Sequence, residues 1–282
     1  MIKKTKTVLE RLYARYNHRL CIAPDPLQFV YRCSDPADME IVAFLASSLA
    51  YGRVQQIEKS LNDLFARMGP SPSDFVKNFD SSKRKKLETF RHRFNTGRDI
   101  SDLLRLFKTV LNRHGSLEKF FLKGFSTSDD NIIPALSAFC DSLLNMYSKT
   151  EKKPVPSSLA YLLTRPAAGS ACKRLNLFLR WMIRDDDVDT GLWKSIHTSK
   201  LIVPIDTHME RLCRILDLYR RKTVDLKAAL EITESFAIIQ TADPVKYDFA
   251  LSRIGIVEDC TGRRTKKCPD CELFDFCKNK LS

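Results

Sequence analysis

The chain has 282 residues, of which 44% are hydrophobic and 29% charged, enough apolar material to bury a sizeable core and so to exclude disorder as its main state. Lys and Arg number 47 against 34 Asp and Glu, and the formal charge of +13 calls for an anionic partner, nucleic acid or an anionic membrane face. The longest uncharged apolar stretch, residues 41–52, falls far short of the roughly 20 residues that span a bilayer. The N-terminus is broken by charges every few residues, so no secretory leader is expected and a cytoplasmic location is.

In chain order, Val8, Leu9, Leu12, Tyr13 and Tyr16 make one apolar helical face. Asp35-Pro36 has the form of a helix opening, cap then first-turn proline, and the helix through Ile41, Phe44, Leu45 and Leu49 is apolar almost all round, hence central. A second amphipathic face runs from Val54 to Met68 and stops at Gly69-Pro70-Ser71-Pro72. Lys83, Arg84, Lys85, Lys86, Arg91, Arg93 and Arg98 follow as a basic run, either a phosphate contact or a solvated helix. Apolar faces recur over residues 103–111, 132–147 and 159–163. Lys173, Asn176, Arg180 and Arg184 then form a polar stripe, expected to be a solvated helix face, with a solvated acidic turn at Asp185, Asp186, Asp187 and Asp189. Strand-like alternation is nowhere sustained. The reading is all-α, with about ten to twelve helices.

Cytosolic thiols stay reduced, yet four of the nine cysteines crowd the end of the chain as Cys260, Cys268, Cys271 and Cys277, a C-x7-C-x2-C-x5-C array. Four thiolates so spaced point to a metal centre. Only Cys268 and Cys271 form the tight pair that zinc modules use twice, so a [4Fe–4S] cluster is the first choice and zinc the alternative. Arg263, Arg264, Lys266 and Lys267 lie between the first two cysteines, a cationic finger suited to phosphate. Upstream, Asp206 precedes a helix carrying Leu212, Ile215 and Leu216 on its apolar face, where an ionised carboxylate gains from the helix dipole.

Pro204-Ile205-Asp206-Thr207-His208-Met209-Glu210-Arg211, followed some fifty residues on by the cysteine array, resembles the C-terminal half of the endonuclease III-like branch of the helix–hairpin–helix DNA glycosylases. Residues 37–65 are similar to an early core helix of that family more loosely. The resemblance implies a two-lobed all-α fold with a C-terminal iron–sulfur loop: residues 37–200 as a central barrel lobe, residues 1–36 plus 201–282 as the second, and DNA in the cleft. It implies Asp206 as the catalytic carboxylate, which stabilises positive charge on the sugar once a base is flipped from the duplex. It also implies the four cysteines as cluster ligands, with His208 packing nearby and Arg211 paired to a carboxylate or phosphate.

The family's glycine-rich hairpin has its counterpart in residues 165–174, where Pro166 and Gly169 keep the spacing but Ala167 replaces the first glycine. The family's lysine falls on Ala171, with Lys173 two residues on as the candidate Schiff-base nucleophile. Gly169, Ser170 and Arg174 are then phosphate contacts. Tyr51 and Arg53 stand in the loop where other members insert a glutamine into the DNA stack. The expected protein is a monomeric base-excision DNA glycosylase, with AP-lyase activity as its optional second step, acting on double-stranded DNA with a damaged base and nucleoid-associated in a bacterial cell. The alternatives are a DNA-binding relative without excision and an iron–sulfur redox protein.

Overall fold

The computed structural model describes residues 2–258 and 260–277; Met1 and residues 278–282 of the expected second lobe lie outside them. The helices are α1 (Ile2–Tyr16), α2 (Pro36–Ser48), α3 (Val54–Met68), α4 (Pro72–Lys77), α5 (Ser81–Leu87), α6 (Gly97–His114), α7 (Leu117–Phe121) and α8 (Ile133–Glu151). They continue as α9 (Ser157–Leu162), α10 (Lys173–Ile183), α11 (Thr207–Ile215), α12 (Leu226–Ile239), α13 (Asp248–Ile256) and α14 (Phe274–Cys277). The described residues hold one ladder, β1 (Arg91–His92) against β2 (Asn95–Thr96), antiparallel. Among them no helix is long and apolar enough to cross a membrane.

The chain divides into two compact units, and the division differs from the one expected at 36/37 and 200/201. One unit takes residues 22–168 and 191–195, the other residues 1–21, 169–190 and 196–282. In the first, α2 is buried almost all round, as its composition requires, with Asp35 accepting from the N–H of Ala37 at 2.8 Å and Pro36 in the first turn. Glu40 on that helix is buried but fully used. It accepts from the N–H groups of Leu117 (2.9 Å) and Glu118 (3.0 Å) and from Trp193 Nε1 (2.9 Å), which ties residues 191–195 to this unit. Phe44 meets Phe107 edge-on at 4.7 Å, and Phe121 meets Trp193 at 5.5 Å, forming an aromatic core.

The basic run is no single helix: α5 ends at Leu87, the hairpin intervenes, and α6 begins at Gly97, whose hydrogen side lets it press on the Leu87 carbonyl. In the second unit α1 and α11 both pack on α13. Helix α10 buries Leu175, Phe178, Leu179, Trp181 and Met182 here, and its polar stripe differs from the expectation. Asn176, Arg180 and Arg184 face inward rather than to solvent, and so does Asp189 of the supposedly solvated turn. Arg180 pairs with Asp189 (3.2 Å) and with Asp248; Arg184 pairs with Asp189 (2.7 Å), Asp186 (2.8 Å) and Asp243 (2.9 Å). Only Asp185 and Asp187 of that turn are exposed.

Candidate active site and cysteine loop

Two helix starts in the second unit bring Lys173 and Asp206 together. Asp206 sits in extended conformation ahead of α11 and caps it, its Oδ1 accepting from the Met209 N–H at 2.8 Å. Its other oxygen lies 3.0 Å from Lys173 Nζ, with side-chain exposures of 23% for the aspartate and 33% for the lysine, so the pair is half-buried yet reachable from solvent. Burial pushes the Asp206 carboxyl up, but the Lys173 cation and the Met209 N–H outweigh it and hold the group below its ordinary value.

Lys173 reaches this place because the chain turns sharply before α10. Gly169 takes φ +79° and Cys172 φ +47°, the latter a left-handed residue immediately ahead of the first helical position. The turn is held by the Cys172 N–H donating to Ser170 Oγ (3.1 Å), Asn176 Nδ2 donating to the Ala171 carbonyl (2.9 Å), and the Leu226 N–H donating to the Gly169 carbonyl (2.9 Å). Gly169 is exposed, while Ser170 and Arg174 are half-buried. Burial pushes the Cys172 thiol up to about 11, so it stays protonated at neutral pH.

Beneath the pair lies Asp248, pushed up to about 6 by burial, with the Asp206 and Asp189 charges adding to the shift and Arg180 opposing it. His208 packs where Gly255 leaves room: a Cβ at residue 255 would stand 2.6 Å from its Nδ1, an atom with no hydrogen-bond partner among the described residues. Arg211 reaches toward the cysteine loop. Its guanidinium donates to the carbonyl of Cys260, with the stem lying over Gly262, where a Cβ would come within 2.7 Å of Cδ.

Cys260, Cys268 and Cys271 line one cavity of about 270 Å³ together with Arg15, Tyr16 and Glu258, while Cys277 is buried at the end of α14 and is not part of that lining. The Thr265 N–H donates to Cys268 Sγ at 3.2 Å and, with the Thr265 hydroxyl, pulls that thiol's pKa down. Burial pushes Cys271 up, and the neighbouring Cys260 and Cys268 thiolates add to it. Among the described residues no three His, Cys, Asp or Glu side chains converge on a point that one ion could fill. Backbone N–H groups donate to two of the sulfurs, Thr265 to Cys268 Sγ at 3.2 Å and Leu273 to Cys271 Sγ at 3.4 Å. The four cations of the loop, Arg263, Arg264, Lys266 and Lys267, are all exposed.

Tyr51 and Arg53 belong to the other unit. Arg53 is exposed, and Tyr51 is half-buried, its hydroxyl 2.6 Å from Asn95 Oδ1 and its ring 5.2 Å from Phe94. Sequence reasoning missed the buried arginine–aspartate network and the Arg211 strut. The repeat of arginines at 180 and 184 opposite an aspartate run was the one available sign of the first; nothing in the sequence marked the second.

The chain belongs to the family described as Protein of unknown function (DUF2400), whose model matches residues 25–257. No curated protein and no solved structure matches it.

Proposed function

We propose that this member of the family is a base-excision DNA glycosylase, with Asp206 as its essential carboxylate and Lys173 as its nucleophile, acting on double-stranded DNA with a damaged base. The observation that carries the reading is the 3.0 Å approach of Lys173 Nζ to Asp206 Oδ2 at a solvent-reachable place formed by two helix starts. An amine beside an ionised carboxylate is the pairing that substitution at a sugar carbon needs. Asp206 takes the proton of Lys173, and the freed amine attacks C1′ of an extruded nucleotide. The N-glycosidic bond breaks with its electron pair leaving on the base, which takes up the proton. Asp206, ionised again, faces the positive charge that develops on the sugar.

Supporting the DNA partner are the net charge of +13 and the exposed cations Arg263, Arg264, Lys266 and Lys267 on the cysteine loop. Gly169, Ser170 and Arg174 offer a turn beside Lys173 for a phosphate. Cys260, Cys268, Cys271 and Cys277 are proposed to hold a [4Fe–4S] cluster whose work is to brace that loop; iron and sulfide analysis of anaerobically purified protein distinguishes it from zinc.

The test is a panel of duplexes, each with one modified base, incubated with wild type, Asp206→Asn and Lys173→Gln, with borohydride added to trap any imine. Release of one base by wild type, abolished in Asp206→Asn with DNA affinity kept, and a borohydride adduct absent from Lys173→Gln, are the expected results. Release without an adduct removes Lys173 as nucleophile. No release from any duplex, with salt-sensitive binding retained, leaves a DNA-binding relative instead, and a cluster reversibly reduced without DNA affinity leaves a redox protein.

A further inference from the structure

Among the described residues only two aromatic side chains are exposed, Phe94 (51%) and Tyr161 (36%), and they touch, with ring centroids 4.6 Å apart and planes at 74°. Phe94 also stacks on Tyr51 at 5.2 Å and 29°. Three segments far apart in the sequence therefore meet at one aromatic patch, all within the unit of residues 22–168.

The patch is built, not incidental. Phe94 is the second residue of a two-residue turn between β1 and β2, and the first, Arg93, takes φ +54°. Turns of this kind favour Gly, Asn or Asp at positive φ, and strain in a non-glycine residue persists only where surroundings enforce it. Here they do. His92 is fully buried, with Nδ1 2.9 Å from Ser60 Oγ and Nε2 3.1 Å from the Tyr51 carbonyl. Asn95, buried as well, takes the Tyr51 hydroxyl at 2.6 Å and donates to the Ser158 carbonyl at 3.2 Å. Gly52 (φ +100°) keeps the space against Arg93 open, since a Cβ there would lie 2.8 Å from the guanidinium. A buried polar frame thus holds an apolar pair out in water.

Cations dominate the exposed positions of these segments: Arg53, Arg91, Arg93 and Arg98 are exposed, the Arg93 guanidinium lies 5.9 Å from the Tyr51 ring centroid, and the neighbouring Asp99 is buried, its carboxylate taken up by Thr96 and Ser158. Exposed rings set among arginines suit a planar aromatic ligand on an anionic backbone, because every base has a π-face and stacking tolerates sequence. An apolar protein partner would find no use for an arginine beside the rings.

We propose that Phe94 and Tyr161, framed by Tyr51 with Arg93 beside it, form a stacking platform for an unpaired nucleobase of a nucleic acid strand. The platform requires neither Asp206 nor the cysteine loop and stands whether or not the chain excises bases.

The probe is a short single-stranded oligonucleotide carrying 2-aminopurine, whose emission is quenched on stacking, titrated with the full chain. Quenching by wild type is expected. Phe94→Ala weakens binding about 5- to 100-fold and removes the quench, by the usual worth of one base–ring stack. Phe94→Trp restores both, which separates stacking from folding. Arg93→Gln lowers the salt slope of binding by about one. Ile238→Ala, exposed and in the other unit, changes nothing. Asp206→Asn binds the probe as wild type does, so loss of base release without loss of quenching counts against the glycosylase reading alone. Phe94→Ala binding and quenching like wild type overturns the platform, and so does a wild-type homodimer that Phe94→Ala dissociates with probe binding unchanged.

Discussion

Replacing Arg180 with methionine tests whether the charges under the candidate site are structural. Arg180 is 2% exposed and holds two carboxylates, Asp189 at 3.2 Å and Asp248, whose side chains are themselves 0% and 6% exposed. Asp189 keeps Arg184 at 2.7 Å, so the carboxylate stranded by the change is Asp248. Breaking a buried pair from one side costs about 3–5 kcal/mol, which at about 2 °C per kcal/mol lowers Tm by about 6–10 °C. The cost depends on pH with a definite sign. Asp248 is already pushed up to about 6 in the intact network, above the value of about 3.9 for an unfolded aspartate. A carboxyl whose folded pKa is raised loses stability as pH rises from the unfolded toward the folded value, because the folded state binds more protons in that window. Without Arg180 the group moves higher still, so the penalty grows above pH 6 and shrinks toward pH 5. Urea unfolding of wild type, Arg180→Met, Asp248→Asn and the double variant, each at several pH values, reads both quantities. In the double variant most of the loss is recovered, since no unpaired charge remains. A penalty below about 1 kcal/mol, or one flat between pH 5 and 8, refutes the account.

Asp206→Ala and Asp206→Asn separate capping from charge. Asparagine still accepts from Met209, so its unfolding free energy drops by no more than about 1 kcal/mol for a half-exposed ion pair, whereas alanine loses about 1 kcal/mol more with the cap; equal losses in urea melts contradict the cap. Because the Asp206 pKa is depressed, its contribution is fully present above the unfolded carboxylate value and lost as pH falls through the lower folded one. The stability gap between wild type and Asp206→Asn is therefore constant from pH 5 to 8 and closes below about pH 4, and a gap already closing at pH 6 in the same melts removes Lys173 as the partner. Gly262→Ala meets both φ +79° and the Arg211 stem at 2.7 Å, so it costs about 1–3 kcal/mol and, on the proposed cluster, lowers the iron content of protein purified without oxygen; a variant of wild-type stability would disprove the strut.

Local features were legible in the sequence because their causes are local. Asp35-Pro36 opens α2 since the cap and the proline act within one turn, and the all-round apolar pattern of that helix put it in the core as expected. Asp206 ahead of α11 was legible for the same reason. What failed was long-range. The stripe of Lys173, Asn176, Arg180 and Arg184 has the spacing of a wet helix face, but the aspartates that bury it, Asp243 and Asp248, lie 59 and 68 residues further on. Periodicity sees polarity and not partners. The hairpin at residues 91–96 was missed because two residues per strand are too few to show alternation.

The same contrast explains how the candidate site is supported. Lys173 and Asp206 are each set by a local device, a left-handed residue before α10 and a cap before α11, and neither device knows of the other. Their meeting is fixed at longer range by buried charges. Arg184 and Arg180 fasten α10 to Asp243, in the turn ahead of α13, and to Asp248 at its first position, and α11 packs on α13 in turn. Arg211, on the helix that Asp206 caps, then carries the connection outward to the carbonyl of Cys260. An ion pair in the open would be worth about 1 kcal/mol or less and would wander. Held between two helix starts that are pinned by buried charges, the lysine and the carboxylate keep their 3.0 Å distance without depending on their own attraction.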